Sequence, residues 1–480
     1  MKQSLCVMLL AITLTGCASQ TYARKDGDEQ SKSCRSFFAS LDDTVAKAGT
    51  GDSQEARLAD FPYLRVNRFD LSLLAKTPEN SPAWQAWLDL AQERDQKARG
   101  IEIANTPTLA PQQDTLQHKV NQCGQLLRQQ DKPAKKRIQS QQVAPEYQQW
   151  KRILGVAPLT SLGIKMGVKR WHEETHALYA QPLHQLAIKG ELIRYLPEKK
   201  GVTKAQQVAG ILQQASRNPL NIPLPTPVEQ EQLFATFAPV WEVDTASNDD
   251  RIGAPTWFPH RTAPRVDTSR PVVYHHLSHT WWQGRPLLQL SYQVWFPRRP
   301  LQSGMDLLGG EVDGILWRVT LQEDGTPLLY DTIHNCGCYH LFFPTARLQV
   351  KEEDEDREPP FAPQQAPPLQ AGERMKIRVS SLAHMVDRIL PVQSENTATN
   401  YTMMEDHTLR SLPTGEGFRS LYDENGIVPG TERGERYIFW TTGVPHPGEM
   451  RQWGHHATAF FGYRHFDDPD LLDRTFKPKN

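Results

Sequence analysis

Residues 287–296, LLQLSYQVWF, place Leu288, Leu290, Tyr292, Val294 and Phe296 at every second position. A repeat of two is that of a β-strand with one face buried, and no helix can bring those five side chains to one side. The preceding run, VVYHHLSHTWW, joins it through Gln283-Gly284-Arg285-Pro286, which predicts a β-hairpin. A second hairpin is predicted from ILWRVTL and PLLYDTI, with Asp324-Gly325 at the turn between them. Shorter strand-like runs fall at 375–380, 436–442 and 457–464.

The first half of the chain follows a different period. Cys34, Phe38, Leu41 and Val45 recur at helical spacing, and Gly49 stands where a helix C-cap is expected. Ser81-Pro82 opens a second helix as N-cap and first residue, carrying Trp84, Trp87 and Leu88. A third, over 111–130, lines up Leu116, Val120, Cys123 and Leu127. Helical patterning returns over 145–198 and 203–216. Pro219, Pro223, Pro225 and Pro227 then break the pattern. These shifts predict an α+β protein. Its helical domain spans 34–218, a proline-rich linker 219–235, and a β-rich, sandwich-like domain of antiparallel hairpins 236–480. The acidic and proline-rich stretch 351–370 is expected as a loop outside the core.

The N-terminus reads MKQSLCVMLLAITLTGC: one lysine, an apolar run from Leu5 to Leu14, then Leu14-Thr15-Gly16-Cys17. Such a run is too short to span a bilayer and has the layout of a secretory signal. Leu-Thr-Gly-Cys resembles the lipobox of bacterial lipoproteins. The resemblance implies cleavage after residue 16 and acylation of Cys17. Residues 17–33 would then be a lipidated tether. Multiple acyl chains on one residue anchor stably where a single one does not. Ala18, in place of aspartate, implies sorting to the outer membrane with the body facing the periplasm. The expected partners are accordingly the membrane, through the anchor, and peptidoglycan or other envelope proteins. A net charge of −1 gives no bulk attraction to nucleic acid, and no nucleic-acid module, phosphate-binding glycine loop or G-x-S-x-G elbow occurs.

Of the six cysteines, Cys6 leaves with the signal and Cys17 carries lipid, so Cys34, Cys123, Cys336 and Cys338 remain. In an oxidising compartment an even number favours pairing. Cys34 and Cys123 each lie on an apolar helix face, and two packed helices can bring them within disulfide reach. Two separate buried thiols are the alternative.

Two further patterns carry metal chemistry. His172-Glu173-Glu174-Thr175-His176 has the spacing of the HExxH zinc peptidases. On a helix His172 and His176 share a face, and Glu173 would serve as general base to a metal-bound water. A third ligand is undefined; His184, Glu191 and Glu198 are candidates. The same five residues also suit a solvated helix face.

The second pattern is HNCGCYH, His334 to His340, at the exit of the second hairpin. Gly337 permits a tight turn that gathers Cys336 and Cys338. With His334 or His340 the pair suits zinc or copper. Oxidised, it would be a strained disulfide; packed, it would be inert. Twelve of the sixteen histidines lie between 260 and 465, and either His275 or His279 could supply a further ligand from the first hairpin. Trp281-Trp282 must face opposite sides of a strand, so an exposed tryptophan suited to stacking on sugars is one expectation. The functional classes left open are an envelope binding or maintenance protein with a Cys/His metal site, a zinc-dependent hydrolase, and a glycan-binding module. Finally, Arg128–Arg170 holds ten basic and two acidic residues, a run that suits either a solvated helix or anionic lipid.

Overall fold

In the computed structural model of the protein, residues 28–154, 157–198, 201–304, 306–351, 357–393 and 398–479 are described. The expected signal segment and Cys17 lie outside them. Residues 28–33, expected within the tether, instead open a helix, which Asp28 caps by accepting a hydrogen bond from the Ser31 amide at 2.8 Å. That helix, α1 (Glu29–Ala48), ends at Gly49 in a left-handed conformation, φ 63°. A hairpin of β1 (Ala56–Leu58) and β2 (Phe61–Val66) follows, then α2 (Arg68–Lys76), α3 (Pro82–Asn105) and α4 (Gln113–Asp131). Ser81 caps α3 and Pro82 occupies its first position, where a missing amide hydrogen costs nothing.

The apolar stripes of α1, α3 and α4 meet around β2 in one core containing Phe38, Tyr63, Trp87 and Leu127. Within it Cys34 and Cys123 are disulfide-bonded, with Cα atoms 5.2 Å apart. The core also encloses paired charges: Arg65 donates to both oxygens of Glu102 at 2.9 Å, and both residues are fully buried.

Short α5 (Lys135–Gln139) and α6 (Gln149–Leu154) lead into the long α7 (Ala157–Ala180). The stretch 145–198 does not stay helical, since β3 (Glu191–Pro197) is a strand paired antiparallel with β4 (Val240–Thr245). Between them run α8 (Ala205–Ala215) and α9 (Pro227–Phe237). The proline-rich segment before α9 is docked rather than free, with Leu220 and Ile222 buried in the N-terminal core.

A small hairpin, β5 (Ala254–Thr256) with β6 (Arg265–Asp267), precedes the meander β7 (Val272–Trp282), β8 (Arg285–Arg299), β9 (Gly310–Leu321), β10 (Pro327–His334) and β11 (Leu341–Pro344). Both predicted hairpins are present, β7–β8 and β9–β10. After β12 (Leu348–Val350) come β13 (Arg374–Val379), β14 (Val386–Val392) and β15 (Thr399–Glu405). Ten of the described strands form one mixed sheet in the order β11-β10-β9-β8-β7-β15-β3-β4-β13-β14. β15 lies parallel to both of its neighbours.

The sheet is curled. Leu288, Leu290, Tyr292, Val294 and Phe296 face a single core shared with Phe343 near one edge and Ile389 near the other. The two edge strands are bridged by residues 361–366. The Phe342 amide donates to Phe361 O at 2.9 Å and the Ala366 amide to Pro344 O at 2.9 Å, tying the segment to β11. The Gln364 side chain exchanges two hydrogen bonds with the Ile389 backbone of β14, at 2.8 and 3.1 Å. The proline-rich stretch expected outside the core therefore closes it. It answers the need of two exposed sheet edges for backbone partners.

Two other expectations give way. Residues 436–442 form a short helix, Arg436–Phe439, and a turn, and 457–464 carry no strand, contributing only an isolated bridge between Ala457 and His465. Trp281 and Trp282 are both buried. Trp281 stacks on Phe69 and donates to Ser72 Oγ at 2.8 Å, joining the sheet to the N-terminal helices. Arg68 and Asp467 pair across the same junction at 2.7 Å.

Candidate functional site

The HNCGCYH segment is the connection between β10 and β11. The His334 amide donates to Cys338 O at 3.0 Å, and the Gly337 amide to His334 O at 2.7 Å. Gly337 has φ +91°, and a Cβ there would lie 2.4 Å from Ala457 O. Both the backbone conformation and the close approach require glycine. The turn gathers the two thiols as expected from the sequence, and both are free. A hydrogen bond with Cys336, together with burial, pushes the Cys338 thiol well above its ordinary range. The shift of the Cys338 thiol is opposite to that of cysteines activated as thiolates.

Both histidines of the motif are engaged by buried carboxylates. His340 Nε2 lies 3.0 Å from Asp331, which Arg318 also binds at 3.0 Å. His334 Nδ1 stands 3.8 Å from Asp313. Burial lowers the pKa of each imidazole to about 4. Zinc or copper would find two sulfur donors here, but among the described residues no three His, Cys, Asp or Glu side chains are grouped to hold a metal ion. His275 and His279 do not join them. His275 packs on Phe234 with ring centres 4.1 Å apart, and His279 bonds Pro223 O at 2.8 Å while stacking on Phe69.

The turn forms one wall of a cavity of about 620 Å³. Helix α7 forms another: Gly163, Ile164, Gly167, Val168, Trp171 and His172 recur at helical spacing and face inward. The HEETH and HNCGCYH motifs thus border the same space, which neither motif reveals alone. Phe361, from the segment that closes the sheet, packs between the two histidines of HEETH. Its ring is 4.2 Å from that of His172, nearly parallel, and 4.7 Å from that of His176, edge-on. A phenyl group thereby lies against the face on which a shared metal would sit. Glu173 and Glu174 point to solvent beside Lys169 and Arg170, the second pair at 2.7 Å. Among the described residues no third His, Cys, Asp or Glu joins His172 and His176 to hold a metal ion. Burial and the neighbouring His176 lower the His172 pKa to about 4, so its ring is neutral.

Residues 435–448 and 457–464 supply the remaining walls, with Phe439, Val444, Ala459 and Phe460 among the apolar contributors. Polar groups are few. Arg464 pairs with Glu358 at 3.0 Å, and Glu435 adds a carboxyl whose pKa is raised by burial. These residues escaped the sequence reading because no local pattern marks them. One signal was available: Phe361 is an isolated aromatic in a polar, proline-rich run, as expected of a buried anchor.

The site is therefore a mostly apolar chamber with two thiols, a neutral imidazole and buried carboxyls at separate points on its wall. Such a chamber excludes water from an apolar guest and offers a few polar contacts to orient it. Comparison of the chain with protein-family models, with curated proteins and with solved structures gives no match.

Proposed function

We propose that this chain is an envelope binding protein that holds an apolar small molecule between α7 and the Cys336–His340 turn. In this reading Cys17 is its acylated anchor in the outer membrane, and the body faces the periplasm. The observation that supports it is the cavity itself. Its volume of about 620 Å³ falls within the roughly 300–1,000 Å³ typical of small-molecule sites, and its walls are mainly aliphatic and aromatic.

The test uses N-phenyl-1-naphthylamine, an uncharged fluorophore that brightens in apolar surroundings. The full chain should bind one saturable equivalent. Gly167 lines the chamber and a Cβ there meets no atom within 4 Å, so Gly167→Leu has room to place its side chain at that wall. Replacing a helical glycine also favours the helix by up to ~1 kcal/mol. The variant should fold at least as stably as wild type, yet bind the probe at least about tenfold more weakly, equivalent to 1.4 kcal/mol. Equal binding by the two proteins would place the probe elsewhere and remove the reading.

A further inference from the structure

We infer that the face built from α6, the outer side of α7 and the Arg436–Thr442 turn docks on an anionic lipid bilayer. Large apolar side chains collect there in the open: Trp150 is 57% exposed, Ile153 69%, Leu154 65%, Met166 66% and Tyr437 71%. Single exposed apolar residues need no explanation, but a contiguous group marks a contact surface.

The group is contiguous because its segments are fastened together. The Gln148 amide donates to Gly443 O at 2.6 Å, Arg152 Nε to Thr442 O at 2.6 Å, and Arg152 Nη2 to Gly462 O at 2.8 Å. α6 therefore sits beside the Arg436–Thr442 turn, and both adjoin α7. Ile438, 53% exposed, belongs to this face and also lines the cavity, so the chamber opens within it.

Charge selects the partner. Between Tyr147 and Thr175 the chain carries Lys151, Arg152, Lys165, Lys169 and Arg170 against Glu173 and Glu174, which pair with Lys169 and Arg170, leaving an excess of three positive charges. A short helix with an apolar face, flanking cations and tryptophan or tyrosine at its rim is suited to lie in the headgroup region. Among the described residues no helix is long and apolar enough to cross a membrane, which fits contact along the surface. Anionic lipid matches the net positive charge of the face and covers its apolar side chains at once, and a tether at the N-terminus would keep the face within reach of it.

The inference does not depend on what fills the cavity, and the experiment keeps the two apart. The full chain is bound to vesicles of phosphatidylcholine with or without phosphatidylglycerol, and backbone hydrogen exchange is followed segment by segment. The apolar N-terminal run can hold the chain on either vesicle, so the local readout decides. Residues 149–154, 163–170 and 436–440 should exchange several-fold more slowly on vesicles containing phosphatidylglycerol, with α4 unchanged. High salt should reverse part of the effect. A double variant, Ile153→Asp with Leu154→Asp, alters exposed positions only; it should fold normally and lose the protection. Gly167→Leu should dock like wild type. Unchanged exchange on both vesicles, equal protection with and without phosphatidylglycerol, or full protection in the double variant would each overturn the inference.

Discussion

At the scale of single residues, the sharpest constraint in the molecule is Gly337. Its φ of +91° lies where side-chain-bearing residues are strained, and Ala457 O fills the space a Cβ would need. Gly337→Ala should therefore destabilise the protein by about 1–3 kcal/mol, or more if the 457–464 segment shifts. Thermal unfolding would show it, with Cys336→Ser as a control that changes side-chain chemistry in the same turn and leaves its backbone alone. A Gly337→Ala melting temperature equal to that of wild type would contradict the geometry described for the turn. The tight turn was legible in the sequence because glycine between two cysteines at a hairpin exit has a direct conformational meaning. The destinations of His334 and His340 were not legible. Asp313 and Asp331 come from β9 and β10, and the pairing of those strands with their neighbours brings them under the histidines.

At the scale of elements, alternation was a reliable guide wherever a strand had one face in the common core, as in β8. It failed where a strand or helix depended on what was available to pair with. Residues 191–197 form a strand because β4 and β15 flank them. Residues 436–442 have strand-like composition but lie off the sheet, whose edges are already occupied on one side by β11 and on the other by β14, with residues 361–366 between. The part played by that closing segment can be measured. Gln364→Leu removes both hydrogen bonds to Ile389, a fully buried residue. A buried backbone donor and acceptor left without partners should cost about 1–3 kcal/mol each at most, and less if water reaches them. The loss should appear as a lower urea midpoint and as faster hydrogen exchange along β14. Unaltered exchange there would mean that the edge is held by other contacts.

At the scale of the whole molecule, the N-terminal helices and the curled sheet are joined through Trp281, Arg68 and the docked proline-rich segment, and the Cys34–Cys123 bond closes a loop spanning 89 residues of sequence separation. Loops of that length are those for which a cross-link most restricts the unfolded chain. Burial of neutral histidines gives the fold a pH signature. His456 is 1% exposed, and burial, chiefly, with Arg451 nearby, lowers its pKa to about 3. The unfolded chain takes up a proton at this residue near pH 6.5, whereas the folded one resists until the pH is far lower. This group's contribution to stability is therefore present above pH 6.5 and is lost progressively as pH falls toward 3. His456→Gln lacks that dependence. The stability difference between wild type and variant should narrow by about 2 kcal/mol between pH 7.5 and pH 5, measured by urea unfolding. A difference independent of pH would show that the ring takes up its proton at the same pH in the folded and unfolded states.

The sequence by itself determined what depends on neighbours along the chain: the α+β succession, the two long hairpins, the helix caps at Gly49 and Ser81, the turn at Gly337, and two helical cysteines on faces that could meet. These follow from backbone geometry and from the period at which apolar side chains recur. Tertiary structure alone decided that α7 and the Cys336–His340 turn face one chamber, that Phe361 lies against both histidines of HEETH, and that a proline-rich stretch closes the sheet. Each of those results comes from edges and faces needing partners, and the partners are far away in sequence. The metal-like spacings of HEETH and HNCGCYH are properties of one helix and one turn. Whether such spacings hold an ion depends on what packs against them, and here a phenyl ring and two buried carboxylates do.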